Sequence, residues 1–354
     1  MSELAFVAQV ARHGARTPKK LYHFNRHLWN PETLTQVTGL GIKQHFILGQ
    51  TLRNKYINHF PLLSPKNLEE EVAFLTTSKT RTVASAWAQA LGLYLDHNPF
   101  AHVSNSLVFD SKDQKVLREK ANTLTLPEVP IQSEKLGKEK ILHGYKPSTN
   151  CKINLIRRRL KSSKEYLSKE EFLKKEYLPG LSKKIGVNLN SIKKASSFHG
   201  VVYSDIAHGY SLPKGLSRGD YEFLDKLHAW AMHFTPFSDA EALKSSCSGF
   251  FTELIENMYT ALEGKGPKLK SYVAHDNTII AFSNVLKYGL SQQPPYASTL
   301  VFELYKNKEV KIYYNEHPVK LSYCDPCTLP NFHECLMSYV DSASTHQKLS
   351  LHKS

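Results

Sequence analysis

A chain of 354 residues with 41% apolar and 11% aromatic side chains is long enough to fill a large core and should fold on its own. No run approaches the roughly 18 consecutive apolar residues that span a bilayer, so the sequence as given carries neither a membrane helix nor a signal peptide. The formal net charge of +14 is uneven: residues 101 to 200 hold 21 Lys and Arg against 10 Asp and Glu, a density that suits anionic partners but reads first as solvated helical faces.

In chain order, Leu4 to Val10 reads as a buried strand that runs straight into the polar, glycine-containing stretch Arg12 to Pro18. Apolar residues from Gly39 to Phe60 recur at helical intervals, and Val72 to Leu75 predicts a second strand. Hydroxyls in Thr76-Thr77-Ser78-Lys79-Thr80 then suit entry into a helix over Arg81 to Leu95. Residues 101 to 199 break the alternation with Lys-rich helical stretches, the longest from Leu155 to Lys184, and predict an inserted helical cap subdomain. Helices are expected over Asp220 to His233 and Ser246 to Leu262, a strand over Lys270 to Ala274 and a helix from Asn277 to Tyr288. A hairpin of Thr299 to Tyr305 with Val310 to Tyr314 follows. The fold class is therefore α/β, a mostly parallel sheet covered by helices on both faces, with sites beyond the carboxyl ends of the strands. Its core would assemble from residues 1–100 and 200–340, and the polar tail 341–354 reads as disordered.

Five cysteines, Cys151, Cys247, Cys324, Cys327 and Cys335, leave at least one thiol unpaired in a monomer. The Cys324-Asp325-Pro326-Cys327 spacing admits a local disulfide, half a zinc site or a redox pair. The disulfide is the favoured reading, and with it an oxidising, secreted or periplasmic setting.

The strongest local feature is Arg12-His13-Gly14-Ala15-Arg16-Thr17-Pro18. Crowded guanidinium groups call for an anion, and their planar forks match phosphate oxygens. Like charges keep the imidazole between them neutral, with a nucleophilic lone pair. Late in the chain, His275-Asp276 follows a predicted strand, and Arg81 follows another and opens a helix, where the dipole favours an anion.

The Arg12 to Pro18 stretch resembles the Arg-His-Gly-x-Arg-x-Pro motif of the histidine acid phosphatase family, a branch of the histidine phosphatase superfamily. His275-Asp276 resembles that family's His-Asp pair, although Asn277-Thr278 departs from its commoner continuation, and Arg81 resembles its mid-chain phosphate-binding arginine. Segments at Thr38 to Gln44 and His208 to Pro213 extend the likeness over most of the chain, least in the Lys-rich region. The resemblance implies a phosphoglycerate mutase-like core and hydrolysis of phosphate monoesters. His13 would attack phosphorus, Arg12, Arg16, Arg81 and His275 would hold the phosphoryl oxygens, and Asp276 would protonate the leaving alcohol and then activate water. It implies no metal and no cofactor, a small phosphomonoester as partner rather than nucleic acid or membrane, room for a homodimer, and turnover highest in acid. The rival readings are a phytase or a lysophosphatidic acid phosphatase of the same family, and a basic nucleic-acid or lipid binding module with a vestigial site.

Overall fold

The computed structural model describes residues 3–96 and 131–339; the expected tail 341–354 and residues 101–130 of the expected insertion lie outside the described residues. Seven strands form one sheet in the order β3-β2-β4-β1-β5-β6-β7: β1 Leu4–Arg12, β2 Val72–Thr76, β3 Ile131–Ser133, β4 Leu269–Ala274, β5 Thr299–Tyr305, β6 Val310–Tyr314 and β7 His317–Pro318. The first four in that order run parallel, and β5, β6 and β7 complete the sheet antiparallel.

Side chains alternate across the pleat, so each strand feeds two cores. Phe6, Ala8 and Val10 of β1 join Tyr272 and Phe302 against Phe250, Phe251 and Leu254 of one helix, Ala240–Leu262, and Phe282 of another, Asp276–Val285. Val7, Phe74 and Val273 face the other way, onto α1 Gly39–Arg53 and α3 Thr80–Tyr94. Those two helices meet backbone to backbone. A Cβ on Gly49 would strike the carbonyl oxygen of Gln89, and one on Gly92 that of Phe46. The short α2, Leu68–Glu71, leads directly into β2.

A third apolar cluster lies away from the sheet and belongs to a helical layer. In that layer α4 Lys152–Lys161 packs Ile153 and Ile156 against Ala242 in a small cluster of its own, while α5 Lys164–Phe172, α6 Leu178–Ile185, α7 Ile192–Ala207 and α8 Arg218–Phe234 build the third cluster, with Leu181, Ile185, Phe198, Val202, Leu224 and Leu227 at its centre. Two helices, α9 Ala240–Leu262 and α10 Asp276–Val285, return the chain to the core, and α11 Leu329–Leu336 closes it.

Two features differ from the sequence reading. The long helix over Leu155 to Lys184 is broken, because Ser163 Oγ accepts from Tyr166 N at 3.3 Å and starts a new helix, and Pro179 sits in the first turn of another. Residues 131–133, inside the range assigned to the insertion, pair with β2 in the main sheet, and the helical layer runs on to Phe234. All five cysteines carry free sulfurs in this structure, and Cys324 Sγ and Cys327 Sγ lie 2.8 Å apart. No helix among the described residues is long and apolar enough to cross a membrane, and no group of three His, Cys, Asp or Glu among them is placed to hold a metal ion.

Candidate active site

Parallel pairing places the site. Arg12 ends β1 opposite Ala274, which ends β4, so His13 and His275 leave the sheet side by side. The His13 amide donates to the Ala274 carbonyl at 2.9 Å, and the two imidazoles meet edge to face at 5.4 Å. On the far side of β4, β2 ends at Thr76 and delivers Thr77 and, in the first turn of α3, Arg81. The candidate residues thus converge at the carboxyl ends of three neighbouring parallel strands.

Behind His13 the turn is packed against α1. A Cβ on Gly14 would fall inside the carbonyl of Gly41, so only glycine lets this loop approach the helix. Gly14 N donates to Ser85 Oγ at 3.1 Å, Ala15 N to Gln44 Oε1 at 2.8 Å, and His45 Nε2 to the Arg12 carbonyl at 2.9 Å. Burial holds His45 down at about 4, so it serves as a neutral donor.

The tautomer of His13 follows from its neighbour. Its Nδ1 lies 2.8 Å from the Gly14 carbonyl, which can only accept, so Nδ1 carries the hydrogen and Nε2 keeps its lone pair. Burial, and then the charges of Arg12, Arg81 and Arg16, hold the ring well below the usual histidine range. His275 is fixed similarly. Thr82 Oγ1 donates to backbone carbonyls at 2.7 and 3.0 Å, so the Thr77 hydroxyl donates to Thr82 at 2.9 Å and accepts from His275 Nε2 at 3.1 Å. His275 Nδ1 then receives Arg81 NH2 at 3.3 Å. In the free site His275 thus stands hydrogen-bonded to Arg81 on one side and Thr77 on the other.

Arg12 is 1% exposed and lies between a carboxylate and an aromatic wall. Its NH2 is 3.1 Å from Asp276 Oδ2, its NH1 donates to the Pro294 carbonyl, and its guanidinium carbon sits 4.2 Å from the Tyr296 ring centre and 5.5 Å from that of Tyr203. Arg16 is buried and donates to the Thr17 carbonyl at 2.8 Å. The Asp276 carboxylate accepts from Asn277 N at 2.8 Å and from Gln293 Nε2 at 3.0 Å. Burial alone would raise its pKa, but Arg12, Lys19, His13 and the Asn277 amide outweigh burial and hold the carboxyl well below its usual range. The Nε atoms of Arg12 and Arg81 are both buried without a hydrogen-bond partner among the described residues.

The six residues expected from the sequence, Arg12, His13, Arg16, Arg81, His275 and Asp276, lie in this one cluster. Sequence reasoning missed Tyr203, Tyr296, Gln293 and His228, which line the adjoining pocket of about 240 Å³ together with Arg12, Arg16 and Asp276. It also missed His143, whose ring stacks on His275 at 4.3 Å with Glu139 Oε1 3.1 Å behind it. None of these sits in a recognisable motif. A larger depression of about 580 Å³ lies beside Leu4, at the opposite end of β1, where Lys268 and Lys306 are already paired with Glu71 and Glu3.

Fold and site together define an α/β protein in which three arginines converge on a buried, neutral histidine at the strand ends. Residues 20–323 match the model of the histidine phosphatase superfamily (branch 2), and the chain belongs to that family. It is similar to the lysosomal acid phosphatase of Xenopus laevis, at 28% identity over 94% of this chain and 74% of the relative. It also resembles the human prostatic acid phosphatase, at 27% identity over 94% of this chain and 84% of the relative. Among solved structures, the Hafnia alvei phytase in complex with tartrate superposes with a TM-score of 0.67 at 14% identity, covering 96% of this chain and 98% of that one. The phytase of Citrobacter braakii gives 0.64 at 16% identity with the same coverage. These two likenesses concern the fold.

Proposed function

We propose that the protein is an acid phosphatase that hydrolyses small phosphate monoesters through a phosphohistidine on His13. The observation that carries this reading is the His13 tautomer: its Nδ1 is committed to the Gly14 carbonyl, which leaves the Nε2 lone pair among three guanidinium groups. Nε2 attacks phosphorus in line with the ester oxygen, and the P–O bond breaks as the P–N bond forms. Arg12, Arg16 and Arg81 neutralise the phosphoryl oxygens, His275 keeps Arg81 aimed, and Asp276 protonates the departing alcohol. Water, deprotonated by the same carboxylate, then displaces His13 and releases phosphate.

Asp276 is ionised in the free site because Arg12 holds it so. A phosphate ester competes for Arg12 and brings negative charge beside the carboxyl, which raises its pKa toward the acid form. His13, held below the ordinary histidine value, stays unprotonated in mild acid. Both shifts place turnover on the acid side of neutrality and its decline as pH rises. The small pocket favours a compact monoester over a highly phosphorylated ring. The helical layer from Lys152 to Phe234 supplies Tyr203 and His228 to that pocket and acts as a cap that sets substrate preference. A setting outside the cytosol is supported by the lysosomal and prostatic names of the relatives.

Rapid quenching of wild type and His13→Ala with a ³²P-labelled aryl phosphate tests the mechanism. An acid-labile, alkali-stable phosphoprotein is expected in the wild type alone. Its absence during steady turnover would remove the covalent step.

A further inference from the structure

The pocket beside Asp276 contains two buried polar atoms that no group among the described residues satisfies, Gln293 Oε1 and His228 Nε2. They come from different parts of the fold, Gln293 from the loop before β5 and His228 from cap helix α8, yet they line one cavity. Each is held from behind by its other polar atom. Gln293 Nε2 donates to Asp276 Oδ2 at 3.0 Å; the ionised carboxylate of the free site only accepts, so Oε1 is left as an acceptor. Ser196 Oγ lies 2.6 Å from His228 Nδ1, which engages that nitrogen and leaves Nε2 without a partner among the described residues, a donor or an acceptor according to the ring's tautomer. The pocket therefore offers an acceptor and a ring nitrogen beside the group that protonates the departing oxygen. A plain alkyl or aryl alcohol satisfies neither, whereas hydroxyl groups, donor and acceptor at once, satisfy both in either tautomer.

Building on the phosphatase reading, we propose that Gln293 and His228 form a leaving-group subsite that recognises a further hydroxyl on the alcohol being released. The preferred substrates are then polyol or sugar monophosphates. Leaving two buried polar atoms unmatched is costly enough to slow an ester lacking the hydroxyl by about tenfold or more.

Glycerol 1-phosphate and propyl phosphate differ only in two hydroxyls, and kcat/KM for the pair reads the subsite directly. The wild type is expected to favour the glycerol ester by about tenfold or more. Gln293→Leu and His228→Phe should bring the ratio toward one, while His228→Gln, which keeps a donor, should retain the preference. A wild-type ratio near one overturns the subsite alone, as does a parallel fall for both esters in the two apolar variants with an unchanged ratio. Failure of the wild type to hydrolyse either ester overturns the phosphatase reading, and the subsite with it.

Discussion

At the scale of single residues, the site depends on groups whose protonation is dictated by what stands behind them. Asp276→Asn keeps the shape of the side chain but removes the proton it must give, and is expected to lower kcat by about 10²- to 10⁴-fold for alkyl esters. Esters with good leaving groups, such as nitrophenyl phosphate, should lose far less, and comparing the two classes checks the assignment. Gly14→Ala forces a methyl group into the Gly41 carbonyl and must displace either the His13 turn or the start of α1. We expect a stability loss of about 1–3 kcal/mol in chemical denaturation together with a fall in kcat. The six clustered residues were legible in the sequence because each lies in a short run that ends a strand or opens a helix. Tyr203, Gln293 and His228 were not, since helix packing and a loop bring them in from distant positions, and a lone Gln or His has no local pattern.

Among the elements, the strands that form the centre of the sheet announce themselves by their apolar runs, and the hairpin of β5 and β6 falls where it was expected, at Thr299–Tyr305 and Val310–Tyr314. β3 gave no signal because it is three residues long and only Ile131 is even partly buried. Helix α7 escaped notice because the polar His199, Ser204 and Asp205 stand on its buried face. The contact between α1 and α3 explains two glycines that helix propensity disfavours, Gly49 and Gly92. Gly92→Ala gains helix propensity of about 1 kcal/mol but meets the Phe46 carbonyl, so a net destabilisation of about 1–2 kcal/mol is expected in urea unfolding. A stabilised variant would show that the helices can part without cost. On α7, Asp205 accepts from Trp29 Nε1 at 2.7 Å and from Asn25 Nδ2 at 3.0 Å, which ties the loop after the His13 turn to the cap.

For the molecule as a whole, buried histidines set the response to acid. His45 and His143 are held at about 4 and His228 at about 3, in each case first by burial, and His13 and His275 are also lowered. A histidine depressed in the folded state contributes stability above its unfolded value near 6.5 and loses it as pH falls, by about 1.4 kcal/mol per pH unit for each group. Two carboxyls act oppositely: burial raises Asp205 to about 6 and Glu134 to about 7, so their contribution is present at low pH and is lost as pH rises through those values. Five histidines outweigh two carboxyls, so Tm should be lower at pH 5 than at pH 7. Inorganic phosphate in the site should restore part of the difference. A Tm that is flat or higher at pH 5 would mean that the buried rings are charged in the fold.

The order of strands in the sheet has a consequence for biosynthesis. β1 is flanked by β4 and β5, so this strand waits for two partners that are made long after it. Between Leu4 and Leu269 more than 250 residues must be made, which takes roughly 13 to 50 s at ordinary rates of synthesis. Throughout that interval a nine-residue strand destined for full burial has neither neighbour, and its unpaired backbone and apolar side chains are open to chaperones and to other nascent chains. Arg12 and His13 stand at the end of that strand, so catalytic competence can appear only once β4 and β5 have emerged.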